Sequence, residues 1–278
     1  MRNSTSAIPH FSLPISHHPT MSDILVAKIG GSTLGSHDTT LADIVALQQE
    51  GARPVIVHGG GALISEWLAR HNVPTRFERG LRVTDEESLK VVVAVLAGIV
   101  NKEIVAPLAN LGGRAMGLSG ADAGILRARV LDPELGFVGE ITGVETGPIF
   151  SLLDDGVIPV IAPIALQWKG QKPTAQLLNI NADTAAGAIA AALAARRLVF
   201  LTDVPGVRGT DGDIASHLLA AEVGKLIESG EIEGGMIPKV QACLTAAQTG
   251  CQSVIVDGRE EQALLGAVEG RMSGTIVG

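Results

Sequence analysis

The sequence contains few cysteines, few aromatic residues and no excess of basic charge. Of its 278 residues two are Cys, none is Tyr and 3% are aromatic, and the formal charge is −8. Two cysteines outside any CxxC pair exclude a disulfide scaffold and a zinc motif of that type, and they favour a reducing cytoplasm. The acidic balance and the scarcity of rings that could stack on bases predict no nucleic-acid partner.

Apolar runs long enough to cross a bilayer are also missing. Two apolar stretches, at 91–100 and 184–195, fall short of the roughly 18 residues that a span needs, and we interpret both as buried helices. Residues 1–20 are rich in Ser, Pro and His, without the unbroken apolar stretch of a signal peptide. We interpret them as a disordered leader, and we expect no membrane partner.

What the sequence does contain is a repeated order of strand, glycine-rich turn and helix. With 46% apolar residues, the chain can bury a large core. Helical patterns, one of them at about 217–229, alternate with apolar runs of strand length, and a more irregular, partly antiparallel section lies at 114–144. This alternation predicts an α/β fold with a mainly parallel sheet. Ligands of such sheets bind beyond the carboxyl ends of the strands, where the glycines of this sequence cluster.

Two glycine clusters follow the first two predicted strands. Lys28 precedes Gly30 and Gly31, so an ammonium group lies beside backbone N–H groups that a phosphate can approach. Taken alone, this cluster is explained better by a tight turn with a solvated lysine. The second strand ends in HGGG at residues 58–61, and three consecutive glycines at a strand-to-helix junction favour an anion site. We expect His58 to hold a local hydrogen bond rather than to act as an acid or base.

Three further clusters bring polar side chains to the start of a helix. Arg82 precedes a predicted helix, and its guanidinium fits either a carboxylate ligand or a surface ion pair. A predicted strand-to-helix turn is surrounded by three short polar residues, Asn179, Asn181 and Asp183. An N-cap uses only one such side chain, so capping leaves the other two unexplained. Lys239 lies in the first turn of a helix, next to a proline that by itself explains helix initiation.

Seven short motifs follow one another from about residue 24 to the end of the chain. In order, they are KIGG, VHGGG, GLRVTD, GFVGEITGV, NINAD, LTDVPGV and GGMIPK. Each is weak alone, but the ordered set resembles the amino acid kinase superfamily, and within it the branch that phosphorylates acetylglutamate in arginine biosynthesis. The resemblance implies a three-layer αβα sandwich with a mainly parallel central sheet. It also implies an amino-acid-binding N-terminal lobe, residues 21–195, and a nucleotide-binding C-terminal lobe, residues 196–278.

The resemblance further implies a reaction and the residues that carry it. The expected activity is phosphorylation of the side-chain carboxylate of N-acetyl-L-glutamate, with ATP as co-substrate and Mg²⁺, to give N-acetylglutamyl 5-phosphate and ADP. Lys28 and Lys239 would stabilise the transferred phosphoryl group, and Asp183 would orient them. The substrate-binding residues would be Gly60, Gly61, Arg82, Asn179 and Asn181. The nucleotide-binding residues would be Gly30, Gly31, Asp203, Val204, Pro205, Gly206, Val207, Arg208, Glu231, Ile232 and Glu233. The sequence identifies no metal ligand.

Two other functions remain open at this point. A kinase for aminoadipate or glutamate attached to an acidic carrier protein, in lysine biosynthesis, looks different at the substrate motifs, and a charge of −8 would repel such a partner. A catalytically silent amino-acid sensor on the same scaffold would be favoured by the loss of either lysine, but both are present. Arginine-inhibited relatives look longer at the amino end, with a helix that interlaces dimers into hexamers. Residues 1–20 lack a helical period, so we predict an arginine-insensitive homodimer.

Overall fold

Continuous apolar runs form the central strands of the molecule. In β1 (Ile24–Ile29) and β2 (Arg53–His58) every residue is buried, as is typical of parallel strands that are covered on both faces. The computed structural model describes residues 24–30, 39–209, 212–271 and 274–278. The predicted leader at 1–20 lies outside these residues, as does Gly31.

The other elements follow in chain order. The further strands are β3 (Phe77–Glu78), β4 (Leu81–Arg82), β5 (Ala115–Ser119), β6 (Leu126–Val130), β7 (Gly139–Val144), β8 (Ile158–Ala162), β9 (Ile164–Lys169), β10 (Lys172–Asn179), β11 (Arg197–Thr202), β12 (His217–Leu218), β13 (Gln252–Asp257) and β14 (Thr275–Val277). The helices are α1 (Thr40–Gln49), α2 (Gly61–Arg70), α3 (Glu86–Val93), α4 (Asn101–Asn110), α5 (Gly147–Asp154), α6 (Ala182–Ala192), α7 (Ala220–Glu228), α8 (Met236–Ala247) and α9 (Ala263–Glu269).

Eight of the strands form one sheet in the order β12-β14-β13-β11-β1-β2-β8-β5. Neighbouring strands in this sheet pair in parallel, except β13 and β14. One face packs against α5, α6, α7 and α8, and the other against α1, α2, α4 and α9. The predicted three-layer αβα sandwich with a mainly parallel sheet is therefore confirmed.

In the described part of the chain, two smaller sheets lie outside this sandwich. Strands β10-β9-β6-β7 form a four-stranded sheet, and β3 and β4 form a hairpin. The antiparallel pairing of β6 with β7 confirms the irregular section that the sequence predicted. The helix predicted at 217–229 begins later than expected, because His217 and Leu218 pair with β14 as strand β12 and the helix starts at Ala220.

The apolar stretch at 91–100, interpreted above as a buried helix, lies within a longer helix that has one interruption. A π-helical segment, Ala94–Val100, joins α3 to α4. In the part of the chain that the structure describes, this continuous stretch, Glu86–Asn110, is the one helix long and apolar enough to cross a membrane. By length and composition alone that is weak evidence, and the buried side of the helix belongs to the core on one face of the sheet.

Candidate active site

Two lysines that are distant in the sequence converge on one buried carboxylate. Lys28 lies near the end of β1, and its Nζ is 2.7 Å from Oδ1 of Asp183. Lys239 lies in the first turn of α8 and donates from Nζ to Oδ2 of Asp183 at 3.0 Å. The Asp183 side chain is only 7% exposed. Both oxygens of this carboxylate are therefore engaged by ammonium groups.

The start of helix α6 places Asp183 at this position. Asn181 is the N-cap of α6, and its Oδ1 accepts hydrogen bonds from the N–H groups of Asp183 and Thr184 at 2.9 and 3.1 Å. Helix α8 can pack closely on α6 because residue 187 is Gly, where a Cβ atom would lie 2.7 Å from the carbonyl oxygen of Ala242. This close contact between the helices brings Lys239 within reach of Asp183.

Burial and charge act together on the pKa values of this cluster. Burial lowers the pKa of Lys28, and the negative charge of Asp183 acts in the opposite direction. Burial alone would raise the pKa of Asp183, but the charges of Lys28 and Lys239 hold it below its usual range. Asp183 is therefore an ionised carboxylate that binds a proton weakly.

A cavity of about 380 Å³ opens beside Lys28 and Asp183. The glycine turn after β2, Arg82 and Asn179 contribute to its walls. Nη2 of Arg82 donates to the carbonyl of Gly61 at 3.0 Å and to Oγ of Ser65 at 2.8 Å. Within the described residues, Nη1 of Arg82 is buried without a hydrogen-bond partner. The guanidinium is thus held in place with one nitrogen still able to bind a ligand.

A second cavity, of about 370 Å³, meets the first at Asp183 and Asn181. Gly234, Gly235 and Lys239 line it on the side of α8. Lys28 lines the first cavity, Lys239 lines the second, and Asp183 lines both. This arrangement can hold two ligands with their reacting ends between the lysines.

The predicted nucleotide-binding residues occupy more varied positions. Gly30 follows β1, and the turn 203–208 follows β11, at the same end of the sheet. The negative charge of Asp203 partly offsets the lowering of the Lys28 pKa by burial. Val207 and Ile232 are each 1% exposed and belong to the core, so their side chains support the surrounding loops. Gly31 lies outside the described residues.

The glycine turn after β2 rests on a buried polar pair. His58 is fully buried, and its Nδ1 is 3.0 Å from the carbonyl oxygen of Gly59. Its Nε2 is 3.2 Å from Nδ2 of Asn101, another fully buried residue. The expected local hydrogen bond of His58 is confirmed. Asn101 is not among the residues that the sequence predicted for the site, and its one signal there is an amide at the end of a long apolar run.

His58 makes the stability of the protein sensitive to acid. Burial, with a smaller effect of Lys28 and Lys102, lowers the pKa of His58 to about 4. Below about pH 6.5 the unfolded chain binds a proton that the folded protein rejects, so stability falls as the pH drops towards 4. We expect the free energy of unfolding to fall by about 2 kcal/mol more in the wild type than in His58→Asn between pH 7 and pH 5. Urea unfolding at both pH values measures this difference, and parallel losses in the two proteins would contradict it.

The described residues do not supply a metal-binding cluster. They contain no group of three or more His, Cys, Asp or Glu side chains placed to hold a metal ion. Asp183, the carboxylate at the centre of the site, has both oxygens engaged by lysines.

A parallel sheet covered on both faces, with glycine turns and two ammonium groups at the boundary between two cavities, defines an α/β enzyme suited to anionic substrates. The sequence profile of the amino acid kinase family matches residues 23–257, and the chain belongs to this family. It is therefore a kinase, with ATP as one substrate and a small molecule as the other.

Individual relatives and solved structures are similar to this chain over most of its length. The chain is 46% identical over 257 residues to the acetylglutamate kinase of Dehalococcoides mccartyi, covering 92% of this chain and 94% of that protein. Among solved structures, smu.665 from Streptococcus mutans has a TM-score of 0.78 at 31% identity and covers 92% of this chain and 98% of its own. The N-acetylglutamate synthase of Neisseria gonorrhoeae, complexed with coenzyme A and N-acetyl-glutamate, has a TM-score of 0.78 at 29% identity, over 92% of this chain and 60% of that longer one.

Proposed function

We propose that the protein phosphorylates the side-chain carboxylate of N-acetyl-L-glutamate with ATP, giving N-acetylglutamyl 5-phosphate and ADP in arginine biosynthesis. The observation that carries this proposal is the convergence of Lys28 and Lys239 on Asp183 at the boundary of two cavities. The similarity to acetylglutamate kinases over most of the chain supports the choice of acceptor.

Charge repulsion is the main difficulty of this reaction. The acceptor is a carboxylate with an ordinary pKa of about 4.3, so it is already a nucleophile near neutral pH. Its approach to a triphosphate is opposed, because one like-charge pair at about 4 Å costs roughly 4 kcal/mol at an effective dielectric constant of about 20. This repulsion would be offset, as charge shifts onto the transferred phosphoryl group, by Lys28, Lys239 and the N–H groups of Gly60 and Gly61.

Asp183 would organise the lysines and would not act as a general base. An ionised acceptor has no proton to lose, in contrast to a hydroxyl acceptor. The low pKa of Asp183 agrees with this role, because such a carboxylate is a poor proton acceptor. Its two oxygens would hold the ammonium groups at fixed positions while the phosphoryl group is transferred.

The first cavity would hold acetylglutamate, and the terminal phosphate of ATP would lie beside Lys28 and Lys239. Arg82 would bind the α-carboxylate through Nη1, which has no partner among the described residues, and Asn179, at the end of β10, would contact the substrate from the same cavity wall, where its Nδ2 donates to Thr84. In Asn181 the amide oxygen caps α6, so its contribution to the substrate would come from the amide nitrogen. The turn 203–208 and the stretch 231–233 would bind the nucleotide.

Replacing Arg82 by Lys is expected to weaken acetylglutamate binding. Nη2 keeps the guanidinium attached to Gly61 and Ser65 while Nη1 faces the ligand, and a single ammonium group cannot make both sets of contacts. We expect Arg82→Lys to raise the KM for acetylglutamate about tenfold or more, with a much smaller change in kcat. Steady-state kinetics with Arg76→Lys, an exposed arginine nearby, provides the control. Equal KM values for the two variants would contradict the assignment.

Mg²⁺ would reach the site bound to ATP. The protein offers no carboxylate cluster for it in the described residues, and Mg²⁺ commonly keeps phosphate oxygens and water as ligands. When bound, the ion would neutralise part of the charge on the triphosphate.

We also propose that the protein is a cytoplasmic homodimer that arginine does not inhibit. Light scattering and rates measured with added arginine test both statements, and a hexamer or micromolar inhibition would contradict them.

The activity is tested by coupled ADP release. Acetylglutamate should support turnover, whereas glutamate, aspartate, aminoadipate and an aminoadipate–carrier conjugate should support much less. Turnover with the conjugate alone would favour the lysine-biosynthetic alternative. Binding of ATP and acetylglutamate without ADP release would favour the silent sensor, which the intact pair of lysines argues against.

A further inference from the structure

The buried pair of His58 and Asn101 lies directly beneath the glycine turn that faces the first cavity. His58 is the last residue of β2, and Gly59, Gly60 and Gly61 follow it along the cavity wall. Neither His58 nor Asn101 lines that cavity. Any effect of the pair on a ligand must therefore act through the backbone of the turn.

The surroundings of Asn101 fix the orientation of its amide. Nδ2 lies 2.9 Å from the carbonyl oxygen of Val160 and 3.2 Å from that of Leu118, and both oxygens can only accept. Oδ1 accepts a hydrogen bond from Nζ of Lys102 at 2.9 Å. The amide nitrogen is therefore the atom that faces His58, and its two hydrogens are shared among the two carbonyl oxygens and Nε2 of the imidazole.

This orientation determines which nitrogen of His58 carries the proton. With Nε2 accepting from Asn101, the neutral imidazole has its hydrogen on Nδ1. Nδ1 then donates to the carbonyl oxygen of Gly59 at 3.0 Å. The pair thus holds the Gly59 carbonyl towards the interior of the protein.

Holding that carbonyl inward orients the next N–H group outward. The described residues contain no cis peptide, and the C=O and N–H of a trans peptide point in opposite directions. The N–H of Gly60 therefore points away from His58, and Gly60 itself lines the cavity. No backbone carbonyl of the described residues accepts a hydrogen bond from it.

The π-helical segment before Asn101 packs closely against the same turn. A Cβ atom at Gly60 would lie 2.7 Å from Cδ2 of Leu96 and 3.2 Å from Cγ2 of Val100. π-Helical segments are rare and occur frequently at functional sites. Here one stretch of helix packs against Gly60 and also supplies Asn101 to His58.

We propose that His58 and Asn101 are positioning residues, which fix the Gly59–Gly60 peptide so that the N–H of Gly60 points at the acceptor substrate. The proposal rests on the proposed function, in which this cavity binds acetylglutamate. It assigns to His58 neither substrate contact nor proton transfer. Its test is whether one hydrogen bond, from residue 58 to the Gly59 carbonyl, controls acceptor binding.

Two substitutions of similar size isolate that hydrogen bond. The amide nitrogen of Asn can occupy the place of Nδ1 and donate to Gly59, whereas Leu has nearly the same shape and no donor. We expect His58→Leu to raise the KM for acetylglutamate about tenfold or more, with the KM for ATP changed less than about twofold. His58→Asn should restore the KM for acetylglutamate to within about threefold of the wild-type value. His58→Gln, which reaches Asn101 rather than Gly59, should resemble His58→Leu and replaces it if the leucine variant does not fold.

Crystal structures of the variants give a readout that does not depend on the substrate. The Gly59–Gly60 peptide should be reoriented in His58→Leu or His58→Gln and unchanged in His58→Asn. Equal KM values for the Leu and Asn variants, or an unchanged peptide in all variants, would overturn the proposal. If the wild type releases no ADP with acetylglutamate, the proposed function fails, and the peptide orientations still decide whether His58 positions the turn.

Discussion

Lys28→Ala and Lys239→Ala are each expected to lower kcat by about 10²–10³-fold, the loss typical of removing one preorganised donor to a developing charge. Each lysine contacts a different oxygen of Asp183, so neither can replace the other. The KM values should change much less, because the interaction is strongest with the phosphoryl group in flight. Steady-state kinetics at saturating ATP and acetylglutamate measures both parameters.

The two variants should differ in stability, which separates folding from chemistry. Lys28 is almost fully buried beside Asp183, and removing one partner of a buried ion pair typically costs about 3–5 kcal/mol. Lys239 is more exposed, so its removal should destabilise the protein less. Lys172→Ala, at an exposed position outside both cavities, is the control and should keep wild-type kcat. Near-normal kcat in a folded Lys28 or Lys239 variant would contradict the phosphoryl-stabilising role.

The strands and most helices could be predicted because they rest on local patterns. Continuous apolar runs identify β1, β2 and β11, and capping residues and glycines mark the ends of several helices. Strands β9 and β10 were not predicted, because the ends at which they face each other are polar and show no clear alternation of apolar and polar residues. Helix α5 escaped because its first residues, Gly147 and Pro148, are typical of a turn.

The candidate site was predictable as a set of residues but not as a geometry. Nothing in the local sequence around Lys28 or Lys239 indicates that both contact Asp183, because that meeting depends on how α6 packs on α8. The motif at 179–183 contains the N-cap that its composition suggested, and the structure identifies it as Asn181. Asn101 was missed because a helix of apolar residues surrounds it, and a partner 43 residues away explains its burial.

Gly187 is the position where a single methyl group should do the most damage to this geometry. A Cβ atom there would lie 2.7 Å from the carbonyl oxygen of Ala242 and 2.8 Å from both its Cα and its Cβ. Backbone atoms cannot rotate away as a side chain can, so α6 and α8 must separate. Asp183 and Lys239 lie on these two helices, and the distance between them should increase.

We expect Gly187→Ala to lower the free energy of unfolding by about 1–3 kcal/mol, as overpacking does, although alanine is the better helix former. A displacement of about 1 Å at a reacting centre can reduce the rate about 10²-fold, so kcat should fall by up to that factor. Gly224→Ala is the matched control, since Gly224 lies in α7 and a Cβ atom there would meet no other atom within 4 Å. That variant should gain about 0.5–1 kcal/mol of stability and keep its kcat. If Gly187→Ala were as stable and active as Gly224→Ala, the contact between α6 and α8 would not be what holds Lys239 against Asp183.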